Sequence, residues 1–294
     1  MTDYLLSAII PFLYRSEDLD HLMNLVKIVL SKENIQLIVV IDESEERLPV
    51  KNFKNHLPIA KNLEVVSGNF GSPGLSRNAG LLLATGKWIV FWDSDDEVCV
   101  DQFLNMIDSA ERLKKDICIG EFETFTSGSN SDRHRFHIPK SQKYLQPSIA
   151  KRPGIWRFAF RNNGLIITKE FCDNLLGEDQ LFLIENDIFK FDIYLHRSVV
   201  YKYRINQVNQ ITNSFKSIKD LNRVLKTLNN DIEKLSSSGY IYISHSVLRI
   251  LVTILKNAER YSEVIDSIKC AFCIILRILN ISLTKKSRKY QNEN

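Results

Sequence analysis

Three carboxylates within four positions are the part of this sequence whose residue types and spacing most clearly suggest chemistry. Residues 88–92 form a short apolar run typical of a buried strand, and Asp93, Asp95 and Asp96 follow it at once. Carboxylates this close repel one another unless a cation lies among them, and a hard divalent cation prefers oxygen ligands. The alternative is a solvated strand-to-helix turn capped by an aspartate. The segment alone supports both interpretations equally.

Other polar residues follow neighbouring apolar runs. Asp42 comes directly after the strand-like residues 36–41, and the loop 67–74 is rich in Gly, Ser, Asn and Pro. Glycines in such a loop allow close backbone approach to a ligand, and Arg77 offers a fixed cation for phosphate oxygens. A helix-opening loop with a surface arginine is the alternative. In an α/β sheet, ligands bind beyond the carboxyl ends of the strands, where all these residues are expected.

The elements that must position these residues alternate along the first part of the chain. Apolar runs predict strands, and residues spaced by three and four predict amphipathic helices between them. Strands alternating with helices indicate a parallel sheet with right-handed crossovers. The predicted strands are 5–11 (ended by proline), 36–41, 63–66 and 88–92; the helices are 19–30, 75–84 (closed by Gly86) and 99–113; a hairpin covers 117–125 and 133–138; and further helices begin at 217, 245 and 260.

Taken together, these stretches resemble the family 2 glycosyltransferases, which have the GT-A fold. The resemblance covers residues 5–96 most closely and extends to about 213. Its ordered motifs are S-A-I-I-P (7–11), V-V-I-D-E-S (39–44), S-R-N-A-G (76–80) and F-W-D-S-D-D (91–96). The family usually has an Asp-Asp-Gly-Ser-like turn after its second strand, whereas here Asp42 stands between Ile41 and Glu43. The resemblance implies an α/β GT-A fold with a mostly parallel central sheet, flanking helices and a C-terminal helical extension.

The resemblance also implies roles in binding a nucleotide-diphosphate sugar. Pro11 would border the donor site, Asp42 would lie near the nucleobase, and Arg77 would lie near the nucleotide or diphosphate. Asp93 would contact the ribose or the metal, and Asp95 would be the main protein ligand of Mg²⁺ or Mn²⁺. A cation bridging two phosphates makes the diphosphate a better leaving group. Asp96 is expected either to support the metal-binding carboxylates without binding the metal itself, or to cap the next helix.

The family's general base lies in a Glu-Asp pair, and the matching residues here are Glu178 and Asp179, with Asp179 as the base. An ordinary acidic helix start after Gly177 is the alternative, because carboxylates favour helix N-termini. The preceding segment I-W-R-F-A-F-R (155–161) is similar to one found before that pair, so Trp156 is predicted either to stack on an acceptor sugar or to be a core aromatic. Tyr203 and Arg204 are candidates to reach the diphosphate.

Charge and cysteine content bound the cellular setting. The net charge is +4, but residues 245–294 carry nine Lys or Arg and four Asp or Glu, so the rest of the chain is close to neutral. The cationic character therefore belongs to the C-terminal segment and does not indicate a nucleic-acid-binding face. Five irregularly spaced cysteines indicate reduced thiols in the cytoplasm. No signal peptide and no conventional membrane span are expected.

The C-terminal helix predicted at 260–281 has one apolar face, and Lys285, Lys286, Arg288 and Lys289 follow it. This pattern is typical of a helix that lies on an anionic membrane surface, and also of a helix that packs on its own domain before a solvated tail. Both interpretations stay open at this point. The first would place the protein at the inner face of the cell membrane.

The sequence as a whole predicts an inverting, metal-dependent glycosyltransferase. It would transfer a sugar from a nucleotide-diphosphate donor to a saccharide or lipid-linked acceptor during surface polysaccharide or capsule synthesis. The predicted organisation is a donor half (1–115), an acceptor and catalytic half of the same domain (116–215) and a helical extension (216–294). The alternatives are a sugar nucleotidyltransferase, whose glycine-rich loop after the first strand is absent here, and a non-catalytic nucleotide-sugar or glycan-binding module.

Overall fold

The structure is a computed structural model in which the chain divides into two compact units. One unit comprises Met1–Ile138, Gly154–Asn174 and Phe191–Gln210, and the other comprises Pro139–Pro153, Leu175–Lys190 and Ile211–Asn294. The residues that the structure describes are 4–13, 16–43, 57–126, 129–174, 176–205, 217–234, 237–257 and 261–292.

The first unit is built on a sheet whose first four strands are parallel. They are β1 (Leu6–Leu13), β2 (Ile35–Asp42), β3 (Leu63–Gly68) and β4 (Trp88–Phe91), in the order β3-β2-β1-β4. These strands are nearly continuous apolar runs because helices cover both faces of a parallel sheet. β1, β2 and β4 are buried almost throughout. The four predicted strands are therefore confirmed.

Strand β1 continues past Pro11, although the sequence predicts that the proline ends it. The backbone of Ile9 faces β4, since its carbonyl accepts the N–H of Trp92 at 3.0 Å. Pro11 has the same parity along the strand, so its nitrogen also faces the β4 side, where β4 has already ended at Phe91. No ladder hydrogen bond is lost, and the strand runs on to Leu13.

The remaining strands make the sheet mixed. They are β5 (Glu97–Val98), β6 (Ile117–Thr126), β7 (Ser129–Phe136), β8 (Phe158–Arg161) and β9 (Ile193–Arg204). β8 pairs antiparallel with both β4 and β6, β9 runs parallel to β6, and β5 adds antiparallel to β9. The predicted hairpin is confirmed as β6 and β7. The parallel arrangement thus belongs to the first four strands, whereas the later strands pair mainly antiparallel.

Among the residues that the structure describes, three helices flank the sheet: α1 (Ser16–Leu30), α2 (Pro73–Leu81) and α3 (Val100–Arg112). The expected cap at Gly86 is wrong, because α2 ends earlier and its C-cap is Leu82. Gly86 instead lies against β1, where an added Cβ would come within 2.5 Å of the Ser7 nitrogen. Its own N–H donates to Ser7 Oγ at 2.7 Å. The glycine is required by close packing of two backbone segments.

The second unit is helical. Its helices are α4 (Leu145–Lys151), α5 (Glu178–Glu185), α6 (Ser217–Asp231), α7 (Tyr240–Asn257) and α8 (Tyr261–Asn292). Helix α7 packs against α4, α6 and α8. The segment Ser237–Lys256 is long and apolar enough to cross a membrane, but 44% of it is buried inside the protein, as in a core helix of a helical unit.

The two compact units divide the chain differently from the predicted halves, whose boundaries at 115 and 215 stay a prediction. Strands β6 to β9 belong to the same sheet as β1 to β4, and residues 117–138 group with the first unit. The two short segments that carry α4 and α5 group with the C-terminal helices instead. Long-range strand pairing and helix packing determine this division, and neither leaves a composition change at the boundary.

Candidate active site

The predicted acidic cluster lies in the turn between β4 and β5. Asp93 is one-quarter exposed, Asp95 is half-buried, and Asp96 is only 3% exposed. The three side chains therefore stand at successive depths at the carboxyl end of a central strand. This is the edge of the sheet at which α/β proteins bind ligands.

Asp96 does not cap the following helix. Helix α3 begins at Val100, its N-cap residue is Cys99, and no side chain caps it. Asp96 Oδ1 instead accepts the backbone N–H of Arg204 at 2.7 Å, and the Tyr201 hydroxyl donates a second hydrogen bond to the Asp96 carboxyl group. Burial, followed by the negative charges of Asp95 and Asp93, raises the pKa of Asp96 well above its usual range. The carboxyl group is thus poised to gain from a nearby cation.

Tyr201, on β9, fixes the backbone of the cluster. Its hydroxyl oxygen accepts the N–H of Asp93 at 3.0 Å. Burial, together with the charges of Asp96 and Asp93, raises the pKa of the Tyr201 hydroxyl well above its usual range, so it stays protonated at neutral pH. The tyrosine therefore positions the acids without adding a further negative charge.

Arg77 meets Asp93 beside this cluster. The arginine lies in α2, which Ser72 caps by accepting the Leu75 N–H at 3.2 Å and which has proline at its first position. Its guanidinium is 3% exposed, and Nη2 lies 2.8 Å from Asp93 Oδ1. The sequence-predicted cation and one sequence-predicted acid are thus brought together. Contact between Arg77 and a diphosphate stays a prediction.

Residues 171 and 172 pack against α2 and fix its position. The Asn78 side chain donates to the Phe171 carbonyl at 2.9 Å and accepts the Phe171 N–H at 2.8 Å. The Phe171 ring lies 5.3 Å from the Arg77 guanidinium carbon. The chain also passes so close to Gly74 that an added Cβ would come within 2.3 Å of the Cys172 carbonyl oxygen. Asn78 and Phe171 therefore set the position of Arg77.

These positioning residues were not predicted from the sequence. Asn78 lies inside the motif at 76–80, but its partner is 93 residues away. Tyr201 is one of several aromatic residues in an ordinary strand pattern. Their roles depend on long-range contacts, which periodicity does not report.

Asp42 is buried at the end of β2 and organises the loop after β3. Its two carboxylate oxygens accept the backbone N–H groups of Phe70 and Gly71 at 3.0 and 2.9 Å. Gly71 has a φ of 74°, a backbone conformation that favours glycine. Asp42 thus shapes the glycine loop in front of α2, and its contact with a nucleobase stays a prediction. Pro11 is half-buried two residues before the end of the adjacent strand β1.

The aromatic and cationic residues near β9 are mainly buried. Trp156 is 7% exposed, and its ring packs on Tyr201 and Tyr203, with centroids 4.4 and 5.5 Å apart. This packing supports the core-aromatic interpretation of Trp156 and leaves little of the ring for a sugar. Arg204 is also buried and pairs with Asp18 of α1. The guanidinium group thus anchors β9 to α1, which does not favour its predicted contact with a diphosphate.

The acidic cluster fits a magnesium or manganese ion that also binds substrate phosphates. Such ions use one or two protein carboxylates together with phosphate oxygens and water. Asp95 and Asp93 supply that number, and the raised pKa of the neighbouring Asp96 shows that the cluster carries negative charge that a cation would relieve. No group of three or more His, Cys, Asp or Glu side chains suited to a metal occurs in the described part of the chain. A fully protein-coordinated site is therefore not the arrangement found here.

The predicted base pair begins a helix in the second unit. Helix α5 starts at Glu178, and Gly177, with a φ of 84°, precedes it as the N-cap. Both Glu178 and Asp179 lie in the first turn and are half-buried. This position agrees with the acidic helix start weighed from the sequence, and it also suits a carboxylate held by a short rigid helix. The role of Asp179 as base stays a prediction.

Comparisons with known proteins agree with this arrangement. The sequence model described as "Glycosyl transferase family 2" matches residues 7–171, more than half of the chain. A poly(ribitol-phosphate) beta-glucosyltransferase of Bacillus spizizenii is 31% identical over 126 residues, which is 40% of this chain and 19% of that protein. The succinoglycan biosynthesis protein ExoO of Rhizobium meliloti is 26% identical over 51% of this chain and 41% of its own length. The chain thus spans less than half the length of these relatives.

Solved structures show the same fold. Residues 1–349 of S. aureus TarS in complex with UDP-GlcNAc superpose with a TM-score of 0.67 and 17% identity, over 90% of this chain and 79% of that one. A mannosyltransferase of Pyrobaculum calidifontis, in complex with GDP-Man and Mn²⁺, gives a TM-score of 0.57 and 12% identity over 99% of this chain and 84% of the other. Fold and motifs agree: the chain has the GT-A fold and belongs to glycosyl transferase family 2.

Proposed function

We propose that this protein is a metal-dependent inverting glycosyltransferase that uses a nucleotide-diphosphate sugar. The observation that carries the proposal is the contact between Arg77 and Asp93 beside Asp95 and Asp96, at the carboxyl end of β4. All four residues lie within the stretch that matches the family. A buried cation and a set of crowded acids at one sheet edge suit a ligand that brings both phosphates and a divalent metal.

Each side chain has a defined part in donor binding. Asp95 and Asp93 would hold Mg²⁺ or Mn²⁺, which when bound supplies Lewis-acid stabilisation to the leaving diphosphate. Arg77 keeps Asp93 in place, and its contact with phosphate oxygens is part of the proposal. Asp42 holds the backbone of Phe70 and Gly71, so the glycine loop keeps a shape that a nucleotide can approach closely.

Inversion requires that the acceptor hydroxyl lose its proton as it attacks the anomeric carbon. We assign this proton to the Asp179 carboxylate, with Glu178 as its neighbour. A positioned carboxylate contributes about 10²–10⁴-fold to such a step. Support comes from the family pattern and from the placement of both acids in the first turn of α5. Helix α5 limits the freedom of the side chains, which favours one productive geometry.

The acceptor is proposed to be a saccharide or a lipid-linked saccharide of a surface polysaccharide. The relatives named above carry names of polymer-building proteins, one for poly(ribitol-phosphate) and one for succinoglycan. We place the reaction on the cytoplasmic side of the membrane. The five cysteines are free thiols in the structure, which suits a reducing compartment.

Donor hydrolysis across a panel of nucleotide sugars, with and without Mn²⁺, tests this function. We expect metal-dependent release of the nucleoside diphosphate from one donor and no release after Asp95→Asn. Calorimetric titration with UDP or GDP in the presence of Mn²⁺ identifies the nucleotide. Binding of a nucleotide sugar without turnover, with every acceptor offered, would indicate a binding module instead. Formation of a nucleotide sugar from a sugar phosphate and a nucleoside triphosphate would indicate a nucleotidyltransferase.

A further inference from the structure

Helix α7 leaves one apolar stripe exposed to solvent. The α7 stripe consists of Ile241, Leu248, Val252 and Leu255, each at least 50% exposed. Their spacing of seven, four and three residues places them on one side of the helix. The opposite side is buried inside the second unit. A stripe of this kind on a helix that is otherwise packed is a candidate interaction surface.

Helix α8, which packs against α7, has the same property. The α8 stripe follows a spacing of three or four residues on one side of the helix, and its most exposed member is Phe272, at 61%. Ala271 and Ile274 are fully buried on the other side. The α8 stripe consists of Ile265, Ile268, Phe272, Leu276 and Leu279.

The charge of α8 indicates what chemistry would cover these stripes. Residues 267–292 contain six Lys or Arg and no Asp or Glu. Lys269 and Arg277 are exposed within the stretch that carries the α8 stripe, and the other four cations follow it in the last turns of the helix. A partner that fits this surface must therefore have a negatively charged surface and an apolar layer beneath it.

An anionic lipid bilayer has both properties. A second copy of this chain matches less well, since even an antiparallel symmetric contact would offer only Glu263 and Asp266 of each α8 to the six cations of the other. We propose that the α7 and α8 stripes, with the cationic end of α8, form a docking surface for the interface of an anionic membrane. The apolar side chains enter the boundary of the acyl chains, and the cations pair with headgroups.

This inference rests on the second unit alone and does not require the proposed transferase activity. If both hold, docking would bring the enzyme to the surface where a lipid-linked acceptor resides. Membrane binding and donor hydrolysis are separate measurements, so the failure of one leaves the other standing.

Cosedimentation of the full chain with vesicles tests the surface. One set of vesicles contains phosphatidylcholine alone, and the other contains equal amounts of phosphatidylcholine and phosphatidylglycerol. We expect binding to the anionic vesicles that weakens as salt is raised. The double variant Phe272→Gln/Leu276→Gln should bind them at least about tenfold more weakly, because it removes two apolar side chains from the interface.

Two further variants separate the apolar and the charged contributions. Replacing Lys285, Lys286, Arg288 and Lys289 by Gln should weaken binding about a hundredfold or more and reduce its salt dependence, since Lys269 and Arg277 remain. The matched control is Leu113→Gln/Leu165→Gln, which replaces two equally exposed leucines of the first unit and should bind as the unsubstituted protein does. Circular dichroism and thermal unfolding verify that each variant is folded.

Light scattering at several protein concentrations decides between a membrane and a second copy. We expect a monomer whose mass does not change in the Phe272→Gln/Leu276→Gln variant. The proposal is overturned if the protein does not bind anionic vesicles, or if it forms a dimer that this variant dissociates. Equal loss of vesicle binding in the Leu113→Gln/Leu165→Gln control would also contradict it, because binding would then reflect general hydrophobicity.

Discussion

Asp96 and Glu121 are two carboxylates buried in the same sheet, yet their surroundings shift their pKa values in opposite directions. Asp96 lies beside Asp95 and Asp93, and burial and those charges raise its pKa. Burial would also raise the pKa of Glu121, but hydrogen bonds from Arg135, the Ile138 N–H and His137 outweigh it, so the net shift is downward. One acid stands among like charges, whereas the other is surrounded by donors.

This difference distinguishes Asp96, in the candidate binding site, from Glu121, which makes a structural contact. Glu121 Oε2 accepts from Arg135 at 2.8 Å, and Oε1 accepts the Ile138 N–H at 3.1 Å, so both oxygens are satisfied by the protein itself. Asp96 accepts the Arg204 N–H at 2.7 Å and a hydrogen bond from the Tyr201 hydroxyl, but these two donors do not offset burial and the charges of Asp95 and Asp93. A protein that keeps an unfavourable carboxylate at the carboxyl end of a sheet strand is typically using it, because perturbed acids concentrate at functional sites.

The largest expected effect is the loss of transfer in Asp95→Asn. The substitution keeps the size of the side chain but removes the charge that would hold the metal. Lewis-acid stabilisation contributes several kcal/mol, so kcat should fall on the order of 10³-fold or more. Glu121→Gln is the matched control and should keep kcat, since Glu121 is a structural acid. Steady-state donor turnover measures both, and undiminished transfer by Asp95→Asn would refute its role as metal ligand.

A second substitution compares the acidic cluster with the acids of α5. Asp179→Asn should lower kcat by about 10²–10⁴-fold, because the acceptor hydroxyl loses its general base. Binding of the nucleoside diphosphate, measured by calorimetry, should stay unchanged, whereas Asp95→Asn should weaken it. Glu185→Gln, at the other end of the same helix, is the control. If Asp179→Asn weakened nucleotide binding and left kcat intact, Asp179 would belong to donor binding.

The sequence predicted those parts of the fold and site that depend on neighbouring residues. The strands β1, β2 and β4 are mainly apolar and buried, β3 is short and half-buried, and Asp42, Asp93 and Asp95 lie at or just after the ends of β2 and β4. Because parallel strands end at one edge, the pattern was sufficient to bring Arg77 and the acids together. Asp93 and Arg77 are 16 residues apart and connected by a short crossover.

The sequence did not predict contacts made across the sheet. Tyr201 and Arg204 each contact the acidic cluster from 108 residues away. Asp96 therefore looked like a helix cap, although its partner is a backbone N–H of β9. Trp156 could equally be a sugar platform or a core residue until β9 placed Tyr201 and Tyr203 against it. Side-chain type indicates which chemistry is available, but only packing decides which alternative is realised.

Glu121→Gln should lower the free energy of unfolding at neutral pH by about 1–2 kcal/mol, because it weakens charge-assisted hydrogen bonds to a buried acceptor. The folded carboxyl ionises at a lower pH than the unfolded one, whose pKa is about 4.3. The stability that Glu121 contributes is therefore present above that value and is lost as the pH falls through the folded pKa. Urea unfolding at several pH values should show the variant and the unsubstituted protein converging in acid. A constant difference would contradict this assignment.

Asp96→Asn should change the free energy of unfolding in the opposite direction to Glu121→Gln and by a smaller amount. Asn Oδ1 can still accept the Arg204 N–H, while the repulsion from Asp95 and Asp93 disappears, so the free energy of unfolding should rise on the order of 1 kcal/mol. The folded Asp96 holds its proton to a higher pH than the unfolded carboxyl, whose pKa is about 3.9, so the unsubstituted protein loses stability as the pH rises through that window. The gain from Asp96→Asn should therefore grow with pH, whereas the loss from Glu121→Gln shrinks as the pH falls. Urea unfolding over the same pH series measures both, and a destabilised Asp96→Asn variant would show that Asp96 is an ionised, satisfied carboxylate like Glu121.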